Sequence, residues 1–207
     1  VAKWVAGVET LSKVARPSPH CAFIGLQKSL QSEWMHLQRV VGDVGKSFAP
    51  IEEAITKNCL PSLFATPLAI PPDLRTLTSL PVKKSGIGLP DPITSAPHSH
   101  SSSKECTAVL THALLTGEGW HISDHQNAMH SGRTDARLCN SVAHQASLDL
   151  LAPGMTPLQL RMTERRKKTG LSKGAFRDSL RMQYGLELVG LPKNCDGCGC
   201  KFSVEHA

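Results

Sequence analysis

Phe23, Leu26, Leu30, Trp34, Leu37 and Val41 recur at steps of 3, 4, 4, 3 and 4 through an otherwise polar stretch. That spacing fits one face of an α-helix and does not fit a strand, whose apolar positions alternate at two. Ser18-Pro19 resembles an N-cap followed by proline at the first helical position, and Gly42 and Gly45 close the helix. Val1, Trp4, Val5, Val8 and Leu11 form a similar stripe before it, ending near Arg16-Pro17. After it, Pro50-Ile51-Glu52-Glu53 opens a third helix with acids where the dipole favours them. Ile51, Ile55, Asn58 and Cys59 share its face until Pro61, which is expected to break it.

Aromatic residues make up only 4 % of the 207 residues, so a core must be built mostly from Leu, Val, Ile and Ala, which suits helices better than a β-sandwich. The fold expected is mainly α, an irregular assembly of about six to seven helices with a proline-rich middle. Between Thr66 and Pro97 prolines stand at 67, 71, 72, 81, 90, 92 and 97, and nothing long and regular is expected there. The polar stretch Ala96 to Lys104 reads as a linker or loop. Ser102-x-x-Glu105 is a candidate capping box for a helix carrying Cys106, Val109, Leu110, Ala113 and Leu114, ended by Gly117 and Gly119. From Asp124 to Leu151, Met129, Gly132, Ala136, Cys139, Ala143, Ala146 and Leu150 make a stripe of small residues that would let another helix approach closely. Thr156-Pro157 caps a helix through LQLRMTERRKK, and AFRDSLRMQYG supplies a last amphipathic segment with Phe176, Leu180 and Tyr184. The domains so predicted are a helical region 1–97, a linker 98–104, a helical region with a basic segment 105–190, and a Cys/His tail 191–207.

Seven cysteines, an odd number, are mostly isolated in helical patterns, which points to a reducing compartment rather than a disulfide scaffold. No basic flank leads into an uninterrupted apolar run, so neither a signal peptide nor a membrane span is expected, and the localisation expected is intracellular, nuclear or cytoplasmic. The formal net charge is +6. It is concentrated in RMTERRKKTG, where five of the eight residues from Arg161 to Lys168 are Lys or Arg. Arg161, Arg165, Arg166, Lys167, Lys168 and the following Arg177 are candidate phosphate contacts on RNA or DNA. A charge run ahead of a Gly cap also complements a helix dipole, so the spacing alone leaves a solvated-surface role open.

In the tail, Cys195 and Cys198 form a C-x-x-C pair on a glycine turn, with His206 eight positions on. Two thiolates and an imidazole are zinc ligands, and a tetrahedral site needs a fourth. Cys200 is one candidate, although Cys198-x-Cys200 is a poor spacing for two ligands on one tetrahedron. A ligand beyond residue 207 is easier to build. His121, Asp124, His125 and His130 lack the Glu of an H-E-x-x-H site, and no nucleophile elbow or phosphate loop is present.

The stretches FIGLQKSLQSEWMHLQRVVGDVG, FAPIEEAITKNCLPSLF, LPVKKSGIGLPDP, RTDARLCNSVAHQ, RMTERRKKTG, FRDSLRMQYGL and NCDGCGCKFSVEHA occur in that order. Together they resemble the region after the polymerase core in reverse-transcriptase-like proteins of retroelements of the diatom and protist type. The resemblance implies thumb or connection-like helices up to residue 97, an upstream polymerase core as partner, RNA or DNA backbone as ligand, and zinc as cofactor. It implies that Cys195, Cys198 and His206 match a Cys/His knuckle whose last Cys follows Ala207, so that the site here is severed. The paired aspartates of a polymerase are absent, and the segment between Gly170 and Phe176 is shorter than the family pattern. The function implied is a non-catalytic C-terminal fragment contributing nucleic-acid contact and a partial zinc site. A self-standing helical protein-interaction module, using the small-residue face from Met129 to Leu150, is the alternative.

Overall fold

A computed structural model describes residues 1–67, 69–82, 86–132, 172–186, 188 and 194. Seven helices are present among the described residues, so the protein is mainly α as its periodicity requires. Helix α1 is Ala2–Ala15. Helix α2 runs from Pro19–Ile24 through a π-helical turn, Gly25–Leu30, into Gln31–Val40. Helix α3 enters on the 3₁₀ turn Gly45–Phe48, continues as Ala49–Ala54, widens to a π-helical turn at Ile55–Cys59 and ends as Leu60–Phe64. Helix α4 is Pro72–Ser79, α5 is Pro92–Thr116, α6 occupies residues 122–132 and α7 is Lys173–Gln183.

The π turns explain two departures from the periodicity. In α2 the buried positions are Pro19, Ala22, Leu26, Gln31, Trp34 and Gln38, with a step of five across the π turn. One extra residue in that turn rotates everything after it, so Leu30 and Leu37 are only partly buried while Gln31 and Gln38 face inward. Gln38 is tolerated there because its amide is satisfied at both ends: Nε2 donates to the Pro92 carbonyl at 2.7 Å and Oε1 accepts from Ser95 Oγ at 3.5 Å. In α3 the wide turn immediately before Pro61 relieves the clash of the proline ring with the preceding turn. The helix therefore does not break at Pro61 but continues to Phe64.

The stretch 98–104, expected to be a linker, lies inside the 25-residue helix α5. The N-cap is Asp91, not Ser102: its Oδ1 accepts from the Ile93 amide at 2.8 Å, and Pro92 follows in the first turn. Pro97 removes the donor that would reach Ile93, and the Ile93 carbonyl faces Gly45, where a Cβ would come within 2.9 Å of it. The first turns of α5 pack on Gln31–Val40 of α2, and the serines beyond them line a contact with α6. Ser102 Oγ donates to the Gly132 carbonyl at 2.7 Å, and a Cβ at Gly132 would meet Cys106 Sγ at 2.9 Å. The described start of the small-residue face thus meets α5 of the same chain. Gly117, at φ +74, turns α5 into α6, and the tip of this hairpin leaves Leu114, Leu115, Trp120 and Ile122 exposed.

One apolar core joins Val8, Leu26, Trp34, Phe48, Ile51, Ile55, Leu60, Leu63 and Phe64 to Phe176 and Leu180 of α7. Helix α7, assigned by sequence to the region 105–190, is therefore packed into the core of the N-terminal helices. Phe176 tilts against His20 and Phe23, and Tyr184 meets Phe64 edge-on at 5.6 Å. No helix among the described residues is long and apolar enough to cross a membrane.

Segment Leu80–Pro92 is held by its glycines and two polar side chains. A Cβ at Gly86 would overlap the Leu80 carbonyl, and Gly88 adopts φ +70. Their constraint places Ile87 and Leu89 in the core, where Gln27 Nε2 donates to the Ile87 carbonyl at 2.9 Å and Arg75 Nη1 to that of Leu89 at 2.8 Å. Arg75 also grips both carboxylate oxygens of Glu52, at 2.6 and 2.7 Å.

Two groups, Cys59 in the core and Tyr184 packed partly buried against it, make the fold sensitive to alkali. Burial pushes the Cys59 thiol from 9.0 up to about 11, against the opposing effects of the Ser12 hydroxyl and Arg75. Burial also raises the Tyr184 phenol above its ordinary 10.0. In both cases the folded state keeps a proton that the unfolded chain releases. The Cys59 contribution is therefore complete below pH 9 and lost as pH rises towards about 11, while that of Tyr184 is complete below 10.0 and lost only as pH rises through its higher folded value. The urea midpoint is expected to fall from pH 9 upward, with tyrosinate absorbance from the single Tyr developing together with unfolding. A tyrosinate signal that grows while the helical signal is intact would contradict the burial of Tyr184.

Candidate functional site

Helix α7 carries two arginines one turn apart, and both are used on the ends of other helices. Arg177 Nη2 donates to the carbonyls of Ala15 at 2.9 Å, Arg16 at 3.0 Å and Ser62 at 3.4 Å. Arg181 Nη1 donates to Phe64 at 2.7 Å and Ala65 at 3.3 Å. The last carbonyls of a helix lack intrahelical donors and carry the negative end of its dipole, so cations are stabilising there. Ala65, in the left-handed conformation at φ 52, turns the chain out of α3 and presents its carbonyl to Arg181. Desolvation lowers the Arg177 pKa, and its Nε is buried without a hydrogen-bond partner.

Beside this junction lies an open cleft of about 820 Å³, between the C-terminal half of α1, the second half of α3 and Arg177. Lys13, Arg16, Lys57 and Arg177 line it, against one acid, Glu9. Lys57 pairs with Glu53 at 2.6 Å, whereas Lys13 and Arg16 are exposed and make no ion pair among the described residues. The cleft collects cations from three helices distant in sequence. No run or spacing marks Lys13, Arg16 and Lys57 as a group: Lys13 and Arg16 lie at the end of α1, and Lys57 in the middle of α3.

Of the residues singled out from the sequence, Arg177 is at this cleft, with Nη2 directed to backbone carbonyls. Arg161, Arg165, Arg166, Lys167 and Lys168 lie outside the described residues, as do Cys195, Cys198, Cys200 and His206. Among the described residues no group of three or more His, Cys, Asp or Glu could hold a metal ion. The histidines of the α5–α6 hairpin instead make local contacts: His112 Nε2 lies 3.3 Å from Glu118, and the His125 ring meets Trp120 edge-on.

No protein-family model matches this chain. No curated protein and no solved structure matches it either.

Proposed function

We propose that this chain is a non-catalytic region that contacts the backbone of RNA or DNA, of the kind found after the polymerase core in reverse-transcriptase-like retroelement proteins. The observation that carries the reading is the docking of α7. The basic run from Arg161 to Lys168 precedes α7 closely in sequence, and α7 is fastened through Arg177 and Arg181 to the ends of α1 and α3. A polybasic segment joined in this way to a packed body with its own cationic cleft suits phosphate contact without base readout. The reading also assigns zinc to Cys195, Cys198 and His206, with Cys200 or a residue past Ala207 as the fourth ligand, on the strength of their types and spacing.

Labelled single-stranded RNA and duplex DNA, titrated at several salt concentrations, test this. Binding is expected at low salt, with log K falling linearly in log salt, and the joint change Arg165→Gln, Arg166→Gln, Lys167→Gln and Lys168→Gln is expected to flatten the slope by about 0.7 per lost contact on single strands. Absence of binding to either polymer at low salt sinks the reading. On the same preparation, zinc uptake lost in a Cys195→Ser/Cys198→Ser variant supports the metal assignment, and equal uptake by both forms removes it.

A second reading, a helical protein-interaction module, is favoured by the exposed apolar tip of the α5–α6 hairpin, where Leu114 and Leu115 are 86 % and 82 % exposed. A defined oligomer formed without nucleic acid and abolished by Leu114→Ser/Leu115→Ser would favour it over the first.

A further inference from the structure

The geometry points to the cleft at the α1–α3–α7 junction as a binding site for a phosphate-ester or polyphosphate anion, with Lys13 and Arg16 as its principal contacts. The proposal deepens the nucleic-acid reading and rests on it only for the source of the phosphate.

Three observations combine. First, the helix ends that wall this cleft would by themselves repel an anion, because the terminal carbonyls of α1 and α3 point outward there with the negative ends of both dipoles. Arg177 and Arg181 neutralise that field by donating to the carbonyls of Ala15, Arg16, Ser62, Phe64 and Ala65. Second, with those carbonyls satisfied, Lys13 and Arg16 stand at the rim without an acidic partner among the described residues, and Lys57 lies across from them. With Arg177 turned to the carbonyls and Lys57 paired with Glu53, Lys13 and Arg16 against the single Glu9 still leave the lining net cationic, and a concave wall concentrates such a field. Third, the cleft, at about 820 Å³, has room for an extended anion and not merely a halide. A guanidinium fork and an ammonium group on one rim suit tetrahedral oxyanions, which accept several charge-assisted hydrogen bonds at once. A carboxylate ligand would use only part of such a set.

The test compares two charge-matched double variants with the unaltered full chain. Lys13→Glu/Arg16→Glu changes the cleft, while Lys28→Glu/Lys46→Glu changes exposed cations outside it. Probes are tripolyphosphate, by calorimetry, and a short labelled single-stranded RNA, by anisotropy. Lys13→Gln/Arg16→Gln is the milder form should charge reversal at the end of α1 disturb folding, which circular dichroism checks. The cleft variant is expected to weaken tripolyphosphate binding by about tenfold or more and to reduce the salt slope for RNA by about 1.4, or about 0.7 for each of two contacts. The control variant is expected to change tripolyphosphate binding little.

If tripolyphosphate binding depends on Lys13 and Arg16 but RNA binding does not, the site stands and its ligand is a free polyphosphate. If the chain binds no RNA at all yet binds tripolyphosphate through these residues, the nucleic-acid reading falls and the site stands. Should the control variant weaken tripolyphosphate binding as much as the cleft variant, or the cleft variants leave both ligands unaffected, the assignment is overturned, even if RNA still binds through the basic run.

Discussion

Replacing Arg75 by Met is expected to destabilise the protein by about 3–5 kcal/mol, read as a fall in the urea midpoint. The change leaves the Glu52 carboxylate, whose side chain is 18 % exposed, without the guanidinium that grips both its oxygens. It also releases the Leu89 carbonyl, an anchor of the segment that closes the core. The loss should be much smaller when Glu52→Leu accompanies it, because no charge then remains buried and unpaired. A neighbouring pair shows why burial, not distance, sets the size. Lys57 and Glu53 also approach to 2.6 Å, but their side chains are 70 % and 61 % exposed, and Lys57→Ala is expected to leave the urea midpoint nearly unchanged. Equal losses for Arg75→Met with and without Glu52→Leu would show that Glu52 is hydrated in the folded state.

The second large effect is expected at Gly86. Its missing Cβ is the space taken by the Leu80 carbonyl, and backbone cannot swing aside as a side-chain end can. Gly86→Ala is therefore expected to cost about 3 kcal/mol, at the upper end of ordinary overpacking, because relief requires moving the chain that carries Ile87 and Leu89 into the core. Gly119→Ala is the control: nothing lies within 4 Å of a Cβ there, and the substitution is expected to be neutral or slightly stabilising. A thermal melt of both variants checks this, and matching melting temperatures would refute the close approach at Gly86.

These two effects meet in one stretch. The glycines of the stretch Leu80–Pro92 have mechanical reasons: Gly86 for a backbone contact and Gly88 for a left-handed turn. The proline-rich texture suggested only irregularity. It concealed that Ile87 and Leu89 are core residues, because a buried irregular segment has no periodicity and depends on Gln27 and Arg75, 60 and 14 residues away, to satisfy its carbonyls.

The helical nature of the chain was legible because it is a local property. A stripe at steps of three and four, Pro19 in a first turn and Gly117 after a last one depend only on neighbours along the chain, and the structure has helices there. Serines, histidines and the preceding Pro97 made 98–104 look unlike helix. The Asp91 cap and the α6 contact at Ser102 and Gly132 overcame those weak preferences. Helix faces were less legible: a single π turn in α2 moved Gln31 and Gln38 inward, and no amino-acid pattern marks where a helix takes up one extra residue. The candidate cleft was not legible at all. Lys13, Arg16 and Lys57 come together when α1 packs on α3, and α7 adds Arg177; charges separated in sequence share a field only once packing brings them within about a screening length. Sequence by itself thus determined that the chain is built of helices and, closely, the bounds of α1, α2 and α7, but neither α4 nor the start of α5. Tertiary packing decided which sides of those helices are buried and where its cations converge, because burial and electrostatic fields are sums over neighbours that only the folded chain supplies.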